Sequence, residues 1–440
     1  MNTVISNPES DNVTDSNESS MLVAPGMPDP NTQDHVPIKG RLLRLMIWML
    51  PANLAVYILW GAIPSVLLPL QVGAFDEANK VRNLAIITTV GAFAAMIAQP
   101  IAGAVSDRTH SKLGRRAPWM LIGALIGSVA LVGLSMGHSL IVIFIGWVFV
   151  QASFNFVQGP LTAIMPDRVP VMARGTFAAI TGMATMLGAI GGQILGAMFA
   201  KHISLAYATL ASFVLLFIVL FIVFNPDASS KQAKLPDFKV KDFLATFWVN
   251  PLRYPNFAWA FIGRLLLYAG YFAVTGYNLY TLQGYIGLSQ DAAVSAVPVL
   301  GVASLVGMVP SIGLAGPLSD KIGRRKPFVL ASALIVGLGL TIPWLIPTKT
   351  AMIAMAFICG LGFGAFSGVD QVLMTQVLPD TGTNAKDLGV VNIAATLPQT
   401  LAPAIGGGIV LVVGYVGLFP VGIVLSILGA FSVLMIKGIR

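Results

Sequence analysis

The chain has 440 residues, of which 56% are hydrophobic and 10% charged, with a formal net charge of +8 and a single cysteine, Cys359. Soluble domains carry about a quarter charged residues, so this composition excludes a soluble protein and indicates an integral membrane protein. One cysteine excludes an intrachain disulfide and a cysteine-based metal cluster. The alternating segments of about ten residues that mark a membrane β-barrel do not occur.

The chain begins with a polar stretch and continues as apolar segments. Residues 1–40 are rich in Asn, Ser, Asp and Pro and predict a disordered cytoplasmic tail, without the basic start of a cleaved signal peptide. Twelve segments follow, each long enough for a helix to cross a hydrocarbon core of about 30 Å. They cover residues 43–71, 83–106, 117–137, 139–165, 176–200, 203–224, 257–285, 292–317, 327–346, 350–377, 389–413 and 415–436.

The longest polar interval, residues 225–256, divides the chain into two sets of six segments, 41–224 and 257–440. Two dense charged loops occupy matching places in these halves, and Asp320 in the second lies 213 residues after Asp107 in the first. Two Pro-Asp pairs, ending at Asp167 and Asp380, show the same offset. A constant offset indicates an internal repeat. The sequence therefore predicts an all-α membrane protein of two pseudo-symmetric six-helix bundles joined by a cytoplasmic loop.

The basic residues are distributed unevenly between alternate loops. Of 26 Lys and Arg residues, 21 fall on one side, four on the other and one inside a segment. Lys and Arg accumulate in cytoplasmic loops, which predicts a cell-membrane protein with both termini cytoplasmic. The excess charge thus reports topology, and membrane lipid headgroups rather than nucleic acid are its expected partners.

Polar and aromatic side chains follow one face of the first and fourth helices of each half. Such side chains usually face the bundle interior or a wet cavity, so we expect these stripes to line a path for a small-molecule substrate. Interhelical hydrogen bonds that only hold the bundle together are the alternative. The candidates for substrate binding are Asn53, Tyr57, Trp60, Gln151, Asn155, Gln158, Thr162, Tyr268, Tyr271 and Asn278.

Two charges, Arg264 and Asp370, lie inside the predicted spans. A lone charge at a span centre costs about 2.5 to 3.5 kcal/mol, and both residues lie roughly 10 Å from the cytoplasmic end at 1.5 Å per residue. We therefore predict that they pair. Two roles stay open: a coupling site at which Asp370 takes up a proton or the pair opens during turnover, and a permanent structural ion pair.

Motifs for chemical catalysis are absent from the sequence. The sequence has no Gly-x-x-x-x-Gly-Lys phosphate loop, so we do not expect ATP to be the energy source. It also has no His-Glu-x-x-His motif, no Cys/His cluster and no Gly-x-Ser-x-Gly elbow. We expect no enzymatic activity, no cofactor and no metal.

The second charged loop, Gly316-x-x-x-Asp320-Lys321-x-Gly323-Arg324-Arg325, resembles the signature between helices two and three of the major facilitator superfamily. The first copy holds four more residues between its Asp and Gly, and in this it resembles the sucrose transporters and the glycoside-pentoside-hexuronide cation symporters. Residues 155–163 are similar to the fourth helix of sucrose transporters, and residues 388–399 resemble their eleventh.

The resemblance implies a secondary transporter that moves a sugar or glycoside by alternating access, coupled to H⁺ or Na⁺. It adds Asn392 and Gln399 to the substrate-binding candidates. It also implies a gate in which Asp107 and Asp320 pair with loop arginines and with helix N-termini of the opposite half; a positive topology anchor is the alternative. The gating candidates are Asp107, Arg108, Arg115, Arg116, Asp320, Lys321, Arg324 and Arg325.

This chain departs from the sucrose transporters in the fourth helix, where Gln151 and Thr162 replace an acidic residue and an arginine. Coupling and sugar clamping by that pair are therefore not carried over. An exporter of amphipathic or toxic compounds, of the drug or bile type, is the second hypothesis, because fold alone does not determine substrate or direction. A non-transporting sensor is the third, although the tail and central loop are too short for a signalling domain.

Overall fold

The computed structural model describes residues 37–231, 254–377 and 384–436. Most of the predicted tail and of the central loop lie outside these ranges. Within them, twelve helices are long and apolar enough to cross a membrane, which confirms the predicted fold class. They are α1 (Gly40–Phe75), α2 (Lys80–Asp107), α3 (Ala117–Ser135), α4 (Leu140–Arg168), α5 (Arg174–Met198), α6 (Ile203–Phe224), α7 (Pro255–Thr275), α8 (Gln290–Ile322), α9 (Lys326–Leu345), α10 (Lys349–Val377), α11 (Asn384–Val413) and α12 (Leu418–Leu434).

Two helices depart from the continuous segments that hydropathy predicts. In α1 a π-helical turn, Ile63–Leu67, contains Pro64, whose missing N–H disturbs the regular hydrogen-bond ladder. The predicted seventh segment, 257–285, is wrong as a single helix: α7 ends at Thr275, and a short helix, Asn278–Gly284, follows. Between them the Tyr277 hydroxyl donates to the Pro403 carbonyl of α11 at 2.8 Å, a tertiary contact at the break.

The helices pack in two equivalent sets. In the first half α1 packs on α5 and α6, α4 packs on α2 and α3, and α3 also packs on α6. The second half repeats each pair six helices later, with α7 on α11 and α12, α10 on α8 and α9, and α9 on α12. Between the halves α2 packs on α11 and α5 on α8, which are also symmetric partners. The two pseudo-symmetric bundles are therefore confirmed; the exact domain limits stay a prediction.

The backbones of α1 and α5 are in direct contact. A Cβ atom on Gly192 would lie 2.1 Å from the Ile58 carbonyl oxygen, and one on Gly61 would lie 2.0 Å from the Ala189 carbonyl oxygen. Small residues permit such close helix approach in membranes. No larger side chain fits at either position unless the helices separate.

Gly192→Ala is therefore expected to lower the unfolding temperature of the purified protein, with an overpacking cost of about 1–3 kcal/mol. Gly182→Ala on the same helix is the matched control, because nothing lies within 4 Å of its added Cβ, and Ala is the better helix former by about 1 kcal/mol. Thermal unfolding in one detergent compares the two variants. Equal unfolding temperatures would contradict the close contact.

Candidate functional site

A cavity of about 640 Å³ lies between the two halves. This is within the range of roughly 300–1,000 Å³ found for small-molecule pockets. Its walls come from α1, α2, α4 and α5 of the first half and from α7 to α11 of the second. All lining side chains in the part of the chain that the structure describes are uncharged.

Five of the predicted substrate-binding residues line this cavity: Trp60, Gln151, Tyr271, Asn278 and Gln399. The Trp60 indole N–H donates to Gln158 Oε1 at 2.9 Å, so its ring is held against the cavity with its polar atom already bonded. The Tyr271 ring stacks on Phe363 with centroids 4.3 Å apart. The cavity therefore presents oriented aromatic rings from both halves.

The other candidates whose side chains the structure describes lie outside the lining in this conformation. Asn53, Asn155 and Thr162 each donate to a carbonyl one turn earlier in their own helix. Gln158 supports Trp60 and donates to the Tyr57 hydroxyl at 3.3 Å, while the Asn392 side chain lies outside the described residues. Substrate contact by these side chains and by Tyr268 stays a prediction.

Several polar lining residues were missed because they lie on α2, α5, α8 and α11 rather than on the first and fourth helix of each half: Thr88, Thr185, Gln193, Ser304, Thr396 and Thr400. In α5 the signal was weak, with Gln193 two turns after Thr185 in a helix of mainly small residues. The buried Oε1 of Gln193 and Oδ1 of Asn278 have no hydrogen-bond partner among the described residues. These oxygens can accept hydrogen bonds from a ligand.

The predicted charge pair is present. Arg264 Nε lies 3.2 Å from Asp370 Oδ2, and the two side chains are only 4% and 3% exposed. The pair does not line the cavity. The Arg264 guanidinium carbon lies 5.4 Å from the Tyr268 ring centroid, and Phe363 contacts both the Tyr268 and Tyr271 rings. Aromatic rings in contact therefore connect the ion pair to the cavity wall.

The first charged loop forms a network around Arg116. Its Nη2 lies 2.5 Å from Asp107 Oδ1 and its Nε lies 2.8 Å from Asp167 Oδ2, and it also donates to the Ser106 hydroxyl at 2.6 Å. Arg115 binds the same Asp167 carboxylate at 2.7 Å. Arg108, another gating candidate, donates to a backbone carbonyl of α2 at 2.6 Å.

Both charged loops turn at a glycine with positive φ, Gly114 at 83° and Gly323 at 67°. Glycine adopts this region at little cost because it has no Cβ, which explains the glycine in each copy. In the second loop Lys321 and Arg324 are exposed and Arg325 is half-buried. The Asp320 side chain lies outside the described residues, so its gating role stays a prediction.

The two halves contact each other at the end of the molecule away from the charged loops. The Tyr280 hydroxyl donates to the Pro69 carbonyl at 2.7 Å, and Lys201 pairs with Asp291 at 3.0 Å. At the other end Asp107 bonds within its own half. Contact of Asp107 with the opposite half stays a prediction for a different conformation.

The residues that follow α6 bind the first charged loop. Ser230 donates from its backbone to the Ser111 carbonyl at 3.0 Å and from its hydroxyl to the Thr109 carbonyl at 2.6 Å. Arg168 donates to the Asn225 carbonyl at 3.2 Å and lies 4.0 Å from Asp227. Thr109 and Ser111, which lie in the longer stretch between Asp107 and Gly114, therefore bind the start of the central loop.

Burial raises the pKa of the Asp227 carboxyl above its usual range, and the neighbouring Arg168 offsets part of this effect. The folded protein thus holds this proton more tightly than the unfolded chain does. The resulting stability is present below the ordinary carboxyl pKa of about 4 and is lost as pH rises through the raised value.

Asp227→Asn is therefore expected to gain stability relative to the wild type as pH increases from 4 to 7. Unfolding temperatures at several pH values measure this difference. Asp291→Asn, which removes a carboxylate that is 73% exposed, is the control. If the difference in unfolding temperature between Asp227→Asn and the wild type is the same at every pH, burial does not raise the pKa of Asp227.

The family model of the Major Facilitator Superfamily matches residues 45–380 and 307–438. The chain belongs to the Major Facilitator Superfamily. Among curated members, the MFS-type transporter opdF of Penicillium oxalicum is 30% identical over 176 residues, 39% of each chain. The sucrose transport protein SUT1 of Oryza sativa subsp. japonica is 34% identical over 129 residues, 23% of this chain and 24% of its own. The chain thus aligns with about two fifths or less of the length of these relatives.

Solved structures of the superfamily share the whole fold. The nucleoside transporter NupG has a TM-score of 0.69 at 13% identity and covers 89% of this chain and 100% of its own. A D-xylose-proton symporter has a TM-score of 0.67 at 15% identity and covers 91% and 98%. The predicted superfamily, its fold and the resemblance to sucrose transporters are confirmed. In line with the expectation of a transporter rather than an enzyme, each of these four similar proteins is named as a transporter, a transport protein or a symporter.

Proposed function

We propose that this protein is a secondary transporter that moves a sugar or glycoside across the cell membrane by alternating access, coupled to a proton or another cation. The observation that carries this proposal is the cavity between the halves, whose described lining is uncharged and includes the aromatic rings of Trp60 and Tyr271 and the amides of Gln151 and Asn278. Aromatic faces bury the apolar faces of a sugar ring, and a few polar groups bind its hydroxyls. The names of the sucrose and xylose transporters support the same substrate class.

The contacts between the halves support alternating access. If the charged loops and both termini face the cytoplasm, as the distribution of Lys and Arg predicts, the Tyr280–Pro69 contact joins the two halves on the outer side. Rocking of the two halves would break this contact and bring the charged loops together on the inner side. The loops would then act as the inner gate.

The coupling site in this proposal is the Arg264–Asp370 pair. It is deeply buried and connected to the cavity through Tyr268, Phe363 and Tyr271. A substrate that moves Tyr271 would therefore act on the pair through rings in direct contact. Protonation of Asp370 would release Arg264 and link ion uptake to the conformational change.

Proteoliposomes with an imposed proton or sodium gradient test the function. Gradient-driven accumulation of a radiolabelled sugar supports it, and movement of hydrophobic cations without sugar movement supports the exporter hypothesis and excludes ours. The uncharged lining already favours a neutral substrate, because within the described residues it offers no carboxylate to bind a cation.

A further inference from the structure

The first charged loop is longer than the second. Six residues separate its Asp from its Gly, whereas two residues do so in the second loop. Thr109 and Ser111 lie in the longer stretch, and both bind the strap, the segment of residues 225–231 that follows α6. The additional length of the first loop therefore supplies the groups to which the strap binds.

Ser230 makes the closest contact between the strap and the loop, and it is only 1% exposed. Its backbone N–H donates to the Ser111 carbonyl at 3.0 Å, and its hydroxyl donates to the Thr109 carbonyl at 2.6 Å. The same hydroxyl oxygen accepts a hydrogen bond from the Ser111 backbone N–H at 3.0 Å. One serine thus binds three backbone groups of the loop.

Asp227 lies directly on the glycine turn of the same loop. A Cβ atom added to Gly114 would lie 2.6 Å from the Asp227 Cβ and 3.0 Å from its Oδ2. Arg168 at the end of α4 is 5% exposed and lies 4.0 Å from the Asp227 carboxylate. Its guanidinium also donates to the carbonyls of Asn225 and Pro226, at 3.2 and 3.4 Å. The strap is therefore bound along its length, by α4 near its start and by the loop near its end.

These contacts all lie within the first half. The partners of the strap belong to the loop between α2 and α3 and to the end of α4, so rocking of one half against the other does not by itself break them. In the second half Lys326, at the start of α9, donates to the carbonyl of Ile436 just after α12. A Cβ atom on Gly323, by contrast, would have nothing within 4 Å among the described residues.

We infer that the strap is a built-in partner of the first charged loop and sets the position of this loop, and thereby of the inner gate. Arg116 and Arg168 act on neighbouring residues in this arrangement. Arg116 joins the loop to Asp167 at the end of α4, and Arg168, the next residue of α4, binds the strap that lies on the loop. The docking of the strap is independent of the proposed function, whereas its effect on the gate rests on that function.

Hydrogen exchange of the full chain in lipid nanodiscs tests the docking, because bound amides exchange slowly. Ser230→Ala removes two hydrogen bonds to the loop, so we expect exchange in residues 225–231 and 109–114 to accelerate about tenfold. Ser229→Ala is the matched control, because Ser229 is exposed and its hydroxyl bonds are long, at 3.4 and 3.5 Å. Equal exchange in the two variants would overturn the inference.

Two glycine variants distinguish the strap from the turn on which it lies. Gly114→Ala and Gly323→Ala both place a Cβ at a residue with positive φ, 83° and 67°, so both strain their own loop. The added Cβ meets Asp227 of the strap in the first case and open space in the second. We expect Gly114→Ala to accelerate exchange in residues 225–231 and Gly323→Ala to leave it unchanged. The same exchange in both variants would contradict the docking.

Distances between spin labels test the effect on the gate. Labels on Lys112→Cys and Lys321→Cys, both at exposed loop positions, report the separation of the two charged loops in a Cys359→Ser background. We expect Ser230→Ala to broaden this distance distribution and Ser229→Ala to leave it as it is. Faster exchange with an unchanged distribution would show that the strap does not position the gate, which overturns the inference.

These readouts also separate this inference from the proposed function. If exchange and label distances respond as expected but proteoliposomes accumulate no sugar, the proposed function fails and the docking stands. If sugar accumulates but Ser230→Ala changes neither exchange nor label distances, the inference fails and the proposed function stands.

Discussion

Replacing Asp370 with Asn is expected to abolish gradient-driven accumulation of substrate. In the proposed mechanism the Asp370 carboxylate is the group that releases Arg264 when it is protonated, and an amide cannot take up that proton. The measurement is uptake into proteoliposomes against a concentration gradient, with and without an imposed pH gradient. Accumulation equal to that of the wild type would exclude Asp370 as the coupling site.

Stability must be separated from coupling in this experiment. Asp370→Asn leaves the Arg264 charge, which is 4% exposed, without its partner at 3.2 Å. Leaving a buried charge unpaired costs about 3–5 kcal/mol, so the single variant is expected to unfold at a lower temperature. A transport defect in this variant alone would therefore not distinguish a coupling site from a structural ion pair.

The double variant Arg264→Gln/Asp370→Asn removes both charges and makes the distinction. We expect it to regain most of the lost stability, because two neutral amides can bond to each other. It should exchange labelled for unlabelled substrate, which needs no net ion movement, but should not accumulate substrate. If it accumulates substrate as the wild type does, the pair is a permanent structural element.

The sequence allowed the charge pair to be predicted because burying charge is so costly in a membrane. Two ionisable residues at the same depth had to meet, and Arg264 and Asp370 do. The spacing of polar side chains was less informative. It selected faces on which Trp60 and Gln151 line the cavity, yet Asn53 and Asn155 on the same faces bond to carbonyls of their own helices. Spacing cannot reveal this local way of satisfying a polar side chain.

Other features could not be predicted because they depend on which helices face each other. Gln193 is one amide in a helix of small residues, and it reaches the cavity because α5 packs on α8 across the halves. At the break after Thr275, Tyr277 bonds to Pro403, which lies 126 residues further along the chain. Likewise the contact of Ser230 with the first charged loop joins segments that hydropathy treats separately.

Arg116→Ala is also expected to cause a large loss of transport and of stability, because this one guanidinium binds Asp107, Asp167 and Ser106. Its side chain is 6% exposed, and hydrogen bonds to charged groups contribute about 1.5–3 kcal/mol each. We expect at least a tenfold lower uptake rate and a lower unfolding temperature. Arg115→Ala is the matched comparison, since its side chain is 19% exposed and pairs with Asp167 alone among the carboxylates described, so we expect a smaller loss.

Substitutions of Arg116 also distinguish a gating role of the charged loop from a role as a topology anchor. Arg116→Lys keeps the positive charge that an anchor needs, but an ammonium group cannot reproduce the planar fork that binds Asp107 and Asp167 at once. If the loop acts through this geometry, Arg116→Lys will have nearly the same transport defect as Arg116→Ala. If Arg116→Lys transports at the wild-type rate, positive charge alone is sufficient, and the loop orients the chain in the membrane without gating it.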